Sequence, residues 1–266
     1  MIDDQYRLKI EDELARIERE ENIRILYACE SGSRAWGFPS KDSDYDVRFL
    51  YVRPVEWYLS IRERRDVIER PISDMLDING WDLRKALALF HKSNPPLLEW
   101  LQSPIVYSEA YETADRIRKM SRDAFSPKSC MFHYLHMAKG NYREYLQGDS
   151  ILVKKYFYVL RPLLACSWIE QYGMMPPVPF EQLLEDAIPA DHELHGVIER
   201  LLARKRAGEE LGMEPRIPRL NDYLEEQITY FERAAKELDI ADGLKEEQLD
   251  GLFRDALLEA WGTVSV

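Results

Sequence analysis

The segment Tyr45-Asp46-Val47-Arg48-Phe49-Leu50-Tyr51-Val52 constrains this chain more than any other, because it is a strand by composition that carries a carboxylate inside it. β-Branched and aromatic residues at this density suit a pleated, half-buried surface, and Pro54 stops the run. Asp44 lies two positions before Asp46, so their side chains leave one face of the strand, with Cα atoms roughly 6–7 Å apart. An unpaired carboxylate inside an apolar strand is costly. Two anions this close repel unless cations stand between them. Arg48 shares the face by parity, as a charge partner or a substrate contact.

Upstream, residues 23–29 read as a mostly apolar strand ending at the turn Ser31-Gly32-Ser33-Arg34. Gly32 permits a positive φ and close backbone approach. Main-chain N–H groups in such a turn, with the Ser31 and Ser33 hydroxyls, suit phosphate oxygens, and Arg34 adds a positive charge. The turn lacks the Gly-Lys-Ser/Thr ending of a P-loop, which disfavours a Walker-type NTPase. A carboxylate pair that takes Mg²⁺ or Mn²⁺ beside a phosphate cradle points to phosphoryl or nucleotidyl transfer from an NTP. Two ions roughly 3.5–4 Å apart would serve the attacking and leaving oxygens.

Composition narrows the class. The 266 residues carry 36 basic and 48 acidic side chains, a net charge of −12. That balance disfavours bulk, sequence-independent binding to nucleic acid, without touching a local basic pocket for one nucleotide. Cys29, Cys130 and Cys166 are far apart and form no CxxC, as expected for buried free thiols in a reducing cytoplasm. No apolar run of ~18 residues is present, so no membrane partner is expected, and the acidic start lacks a signal core. The expectation is a cytoplasmic protein.

Periodicity separates two regions. Leu8, Ile10, Leu14 and Ile17 give residues 4–20 near-helical spacing. Residues 66–69 read as a short strand or edge, and 73–79 as a strand ended by Gly80. Asp82 caps a helix over 83–91, 97–101 is a short helix, and 103–107 is an extended connector. From about residue 109 the pattern is almost entirely helical, near 109–122, 128–147, 150–172, 191–207, 219–238 and 245–260. The expected fold class is α+β: a small mixed-sheet domain over 1–108, followed by an all-helical domain over 109–266.

Gly32-Ser33 followed by Asp44-Tyr45-Asp46-Val47 resembles the signature of the DNA polymerase β-type nucleotidyltransferase superfamily, with Tyr45 in an apolar slot. The resemblance implies a third carboxylate on a later strand. Met75-Leu76-Asp77-Ile78 supplies it as Asp77, with Asp74 and Asp82 weaker choices. The runs Gly32-Ser33-Arg34-Ala35-Trp36-Gly37, Gly80-Trp81-Asp82-Leu83-Arg84-Lys85-Ala86-Leu87 and Asn94-Pro95 through Trp100 to Ser103-Pro104 look like the YcgL-type nucleotidyltransferases, some of which are associated with RNA-repair ligases. The likeness extends through Met137-Ala138-Lys139 and residues 155–162.

The family implies that Asp44, Asp46 and Asp77 hold the metal and that Asp77 takes a proton from the acceptor hydroxyl. Gly32, Ser33 and Arg34 would hold the triphosphate, with Lys139, Lys155 and Arg161 reaching its β- and γ-phosphates. Lys155, Tyr158 and Arg161 share related helix faces by spacing. The acceptor stays open among an RNA end, a protein hydroxyl as in antitoxin-like members, and a small molecule. A module that binds NTP without chemistry is the alternative from another class, and the oligomeric state is also open. The i, i+3 histidine pairs His133/His136 and His192/His195 have no third ligand nearby and read as helix-surface or core residues.

Overall fold

The structure is a computed structural model that describes residues 2–209, 212–239 and 243–262. By contact the chain divides into two compact units: Met1–Ala35, Asp44–Ala124 and Gly243–Val266 form one, and Trp36–Ser43 with Phe125–Asp242 form the other. The first contains α1 (Asp4–Glu21), β1 (Arg24–Glu30), the single turn α2 (Gly32–Ala35), β2 (Tyr45–Val52), α3 (Val55–Tyr58), β3 (Val67–Glu69) and β4 (Leu76–Asp82). It continues through α4 (Leu83–His91), α5 (Pro95–Leu101), β5 (Val106–Glu109) and α6 (Thr113–Ala124). The second contains α7 (Pro127–Tyr145), β6 (Ser150–Leu152), α8 (Lys155–Tyr172), α9 (Phe180–Ala187), α10 (Glu193–Ala207), β7 (Met213–Pro215) and α11 (Pro218–Glu237). The last helix, α12 (Glu246–Trp261), rejoins the first unit. The α+β class holds.

Five strands lie in the order β3-β4-β2-β1-β5. β1 pairs antiparallel with β2 and β5, β3 antiparallel with β4, and β2 parallel with β4. Tyr45, Val47, Phe49 and Ile78 alternate onto one face and pack on Ile10, Leu14 and Ile17 of α1. The opposite parity puts Asp46, Arg48, Asp77 and Asn79 on the other, half-buried face. The period of two that buries one set of side chains therefore presents the charged set as a group.

Three local readings are corrected by the structure. Gly80 does not end a strand: β4 runs through it, and the Phe49 ring lies where its side chain would be, 2.2 Å from an ideal Cβ. A glycine inside a strand here marks close approach, not a turn. The connector at 103–107 leads into β5, which closes the sheet beside β1. The later region is not wholly helical, because β6 pairs with β7, and α8 begins at Lys155, not at 150. These strands have three residues each, too short to display a period.

Local signals account for the helix starts. Asp82 accepts from the Arg84 N–H (2.9 Å) and the Tyr58 hydroxyl (2.8 Å) at the head of α4, and Asn94 accepts from the Leu97 N–H at α5. In the helical unit, buried Asn221 takes the Tyr156 hydroxyl at 2.6 Å and donates to the Leu146 carbonyl at 2.8 Å, while Tyr156 accepts the Ile217 N–H at 2.8 Å. These interior polar groups are therefore satisfied. All three cysteines are buried thiols outside any disulfide. Among the described residues no helix is long and apolar enough to cross a membrane.

Candidate active site

The turn after β1 and the head of β2 are tied together by main-chain hydrogen bonds. Ser31 N–H donates to the Asp46 carbonyl at 2.8 Å, and the Asp46 N–H donates to Glu30 Oε1 at 2.9 Å. Gly32 adopts φ +58°, and an ideal Cβ on it would lie 2.0 Å from Asp46 Oδ2. The glycine thus vacates the volume that the Asp46 carboxylate fills. Ser33, half-buried, follows in α2. Arg34 stacks over the Tyr45 ring at 3.7 Å and donates from Nε to the Asp44 carbonyl at 3.2 Å, while Tyr6 stacks on Tyr45 at 4.4 Å.

Asp46 and Asp77 are direct register partners in the parallel β2–β4 pair. Their carboxylates share one guanidinium nitrogen: Arg48 Nη2 donates to Asp46 Oδ1 at 3.0 Å and to Asp77 Oδ2 at 2.7 Å. Arg48 Nη1 donates to the Val47 carbonyl at 3.1 Å and the Asp77 carbonyl at 2.8 Å. Arg48 is thus the charge partner that its parity allowed. Burial raises the Asp46 carboxyl above the usual carboxylate range, and Asp77 and Asp44 add to the rise against the opposing pull of Arg48. Asp44 is exposed, just ahead of β2.

The donor set suits a hard divalent cation. Two carboxylate oxygens already converge on one positive nitrogen, and Mg²⁺ is commonly held by one or two carboxylates together with substrate phosphates. Among the described residues, no three His, Cys, Asp or Glu side chains gather closely enough to hold a metal by themselves. Asp46 and Asp77 would therefore share such an ion with oxygens from outside the chain.

Glu30 escaped the sequence reading. It is fully buried at the end of β1, where its Oε1 accepts from Asp46 and its Oε2 accepts from the Tyr107 hydroxyl of β5. The only signal was an acid between an apolar strand and the Ser-Gly-Ser turn, which equally fits a strand end in solvent. Tyr107 comes from β5, a strand the sequence did not reveal. Burial pushes the Glu30 carboxyl up to about 7.

Glu30 therefore binds a proton in the folded chain at pH values where the unfolded chain has released it. Its stabilising share is complete below the unfolded pKa near 4.5 and fades as pH rises to about 7. Glu30→Gln, whose Oε1 can still accept the Asp46 N–H and whose amide N–H can donate to the Tyr107 oxygen in place of a carboxyl proton, is expected to gain on the parent by ~3 kcal/mol between pH 4.5 and 8, at 1.36 kcal/mol per pKa unit. Urea unfolding of both proteins at the two pH values measures this, and a pH-independent difference contradicts it.

The three candidate cations of the helical region belong to the second unit. Lys139 of α7 pairs with Glu232 of α11 beside a cavity of about 640 Å³ that His136 and Lys236 also line. Lys155 lies over the Tyr145 ring at 3.7 Å and the Tyr158 ring at 4.8 Å, and desolvation lowers its ammonium pKa. Arg161 is only 3% exposed, stacks over Trp36 at 4.5 Å and donates to the Val178 carbonyl at 3.5 Å. Gly32, Ser33, Arg34, Asp44, Asp46 and Asp77 all fall in the first unit, where Asp46, Asp77 and Gly32 converge.

A family described as "RlaP: RNA repair pathway DNA polymerase beta family" matches residues 6–255. The Bacillus subtilis (strain 168) protein "Uncharacterized protein YcgL" is 53% identical over 253 residues, covering 95% of this chain and 97% of that one. A crystal structure of a nucleotidyltransferase-like protein from Exiguobacterium sibiricum 255-15 aligns at 14% identity with a TM-score of 0.33, over 85% of this chain and 74% of that chain. On the extent of the family match and the closeness of the Bacillus relative, the chain belongs to the RNA repair pathway DNA polymerase β family and is of nucleotidyltransferase type.

Proposed function

We propose that the protein transfers a nucleoside monophosphate from an NTP to an acceptor hydroxyl, with an RNA end as the preferred acceptor class, in a reaction dependent on Mg²⁺ or Mn²⁺. The observation that carries this reading is the facing pair Asp46 and Asp77 beside the Gly32 turn, sharing one cation between them. Gly32 and Ser33 receive the triphosphate, with Arg34 adding charge at that turn. Asp46 and Asp77 supply the carboxylate oxygens for metal, and Asp44, exposed just ahead of β2, joins them once substrate oxygens complete the ion's shell. A bound divalent ion supplies charge neutralisation for the oxygens whose charge changes during displacement.

Asp77 accepts the proton of the acceptor hydroxyl as its oxygen bonds to the α-phosphorus. The bond from that phosphorus to the bridging oxygen breaks, and pyrophosphate carries away the electron pair. Positioning and charge stabilisation account for most of the catalysis in such a site. The family's link to RNA repair supports the choice of acceptor.

The test is incubation of the full chain with each labelled NTP, Mg²⁺, and a panel of RNA ends, proteins and small alcohols. Label is expected on an RNA end, with stoichiometric pyrophosphate release that EDTA abolishes. Label on protein would replace the acceptor. NTP binding with no transfer to any acceptor, or undiminished transfer by the Asp44→Asn/Asp46→Asn double variant, would overturn the enzyme reading.

A further inference from the structure

We propose that Arg48 is a fixed second cation of this site, so that Asp46 and Asp77 take one divalent ion where two were expected from the sequence. The inference rests on the reading above that these carboxylates hold a divalent ion. An arginine held by carboxylates alone would give way to a divalent cation, because the metal would satisfy the same oxygens. Arg48 is held differently. Half of its partners are main-chain carbonyls, those of Val47 in β2 and Asp77 in β4, which belong to the central strands of the sheet. The guanidinium is a rigid planar fork, so anchoring Nη1 on those carbonyls fixes Nη2 between the carboxylates.

The oxygen inventory follows from that anchoring. Nη2 occupies Asp46 Oδ1 and Asp77 Oδ2. Asp46 Oδ2 is directed at the space above Gly32, where an ideal Cβ would meet it at 2.0 Å. Asp46 Oδ2 and Asp77 Oδ1 are the carboxylate oxygens that Arg48 does not engage, and two such donors suit a single ion completed by substrate phosphates. Asp44, exposed just ahead of β2, can join that ion's ligands, although among the described residues no three acids stand close enough to hold a metal by themselves. Arg48 is part of the chain and cannot leave the site as a bound ion can. It therefore supplies permanently the positive charge that a second ion would bring.

Mn²⁺ titration of the full chain, with free Mn²⁺ read by EPR, tests the stoichiometry. The parent is expected to bind one ion, Arg48→Met a second, and Asp46→Asn none. Two ions on the parent, or a single ion on Arg48→Met, overturns the role of Arg48 alone. A parent that binds no ion, or an Asp46→Asn variant that keeps it, overturns the metal reading itself. Melting in EDTA and in Mn²⁺ gives an independent readout: Arg48→Met should melt lower in EDTA and recover in Mn²⁺ by a larger shift than the parent. A purely structural arginine predicts no such rescue. Arg48→Gln, which can still donate to the two carbonyls, replaces Arg48→Met if that variant does not fold.

Discussion

Asp46→Asn is expected to lower nucleotidyl transfer by about 10³-fold or more, at least the loss that follows removal of a single transition-state donor. The amide removes the negative charge that makes the position a ligand for a hard cation, while keeping the size of the side chain. It also frees Arg48 Nη2 from one of its two carboxylate partners, leaving Asp77. The effect on folding should be much smaller. Asp46 is 28% exposed and its ionised form is disfavoured by burial, so the charge is not a net support of the sheet. Loss of one partly exposed ion pair is expected to change stability by about 1 kcal/mol or less. Pyrophosphate release and urea unfolding, run on one preparation, separate the two effects. Transfer within tenfold of the parent would remove Asp46 from the chemistry. A related trend belongs to the parent: because Asp46 is pushed up, protons should compete with metal at higher pH than for an ordinary carboxylate.

The sheet was legible where each strand carries its own period. Tyr45–Val52 is marked by its β-branched and aromatic content, with buried and half-buried residues alternating over Tyr45–Arg48, and α1 repeats Ile10, Leu14 and Ile17 on one stripe, so both elements could be read without neighbours. Arg48 as a partner of Asp46 was legible for the same reason, since parity fixes the face. The parallel pairing that sets Asp77 opposite Asp46 is a tertiary fact, because nothing within either segment states their register. Gly80 misled because a glycine that admits the Phe49 ring looks, in one dimension, like a glycine that ends a strand. Glu30 was hidden by the same limit: its burial depends on Tyr107, 77 residues away. In the helical unit, spacing grouped Lys155, Tyr158 and Arg161. Spacing does not report depth, and Arg161 is buried while Lys155 lies on aromatic faces.

Gly32→Ala should lower transfer by about 10²-fold or more, since displacement of a reacting group by ~1 Å can cost that much. The added methyl would lie 2.0 Å from Asp46 Oδ2 and 2.8 Å from its Cγ, so the carboxylate must move or the turn must shift. The turn has little room to shift, because Ser31 and Glu30 hold the Asp46 main chain on both sides. A positive φ adds a conformational cost of about 1–2 kcal/mol for any L side chain, and that cost alone would lower stability without touching the chemistry. Gly37→Ala separates these contributions. Gly37 also has a positive φ, +87°, but nothing lies within 4 Å of its ideal Cβ. It should therefore show the backbone cost in urea unfolding while transfer stays within about threefold of the parent, as for a substitution that displaces no reacting group. Equal losses of transfer in the two variants would mean that strain, not collision with Asp46, sets the requirement at Gly32. A loss confined to Gly32→Ala would mean that glycine is required there for the space it leaves to the carboxylate.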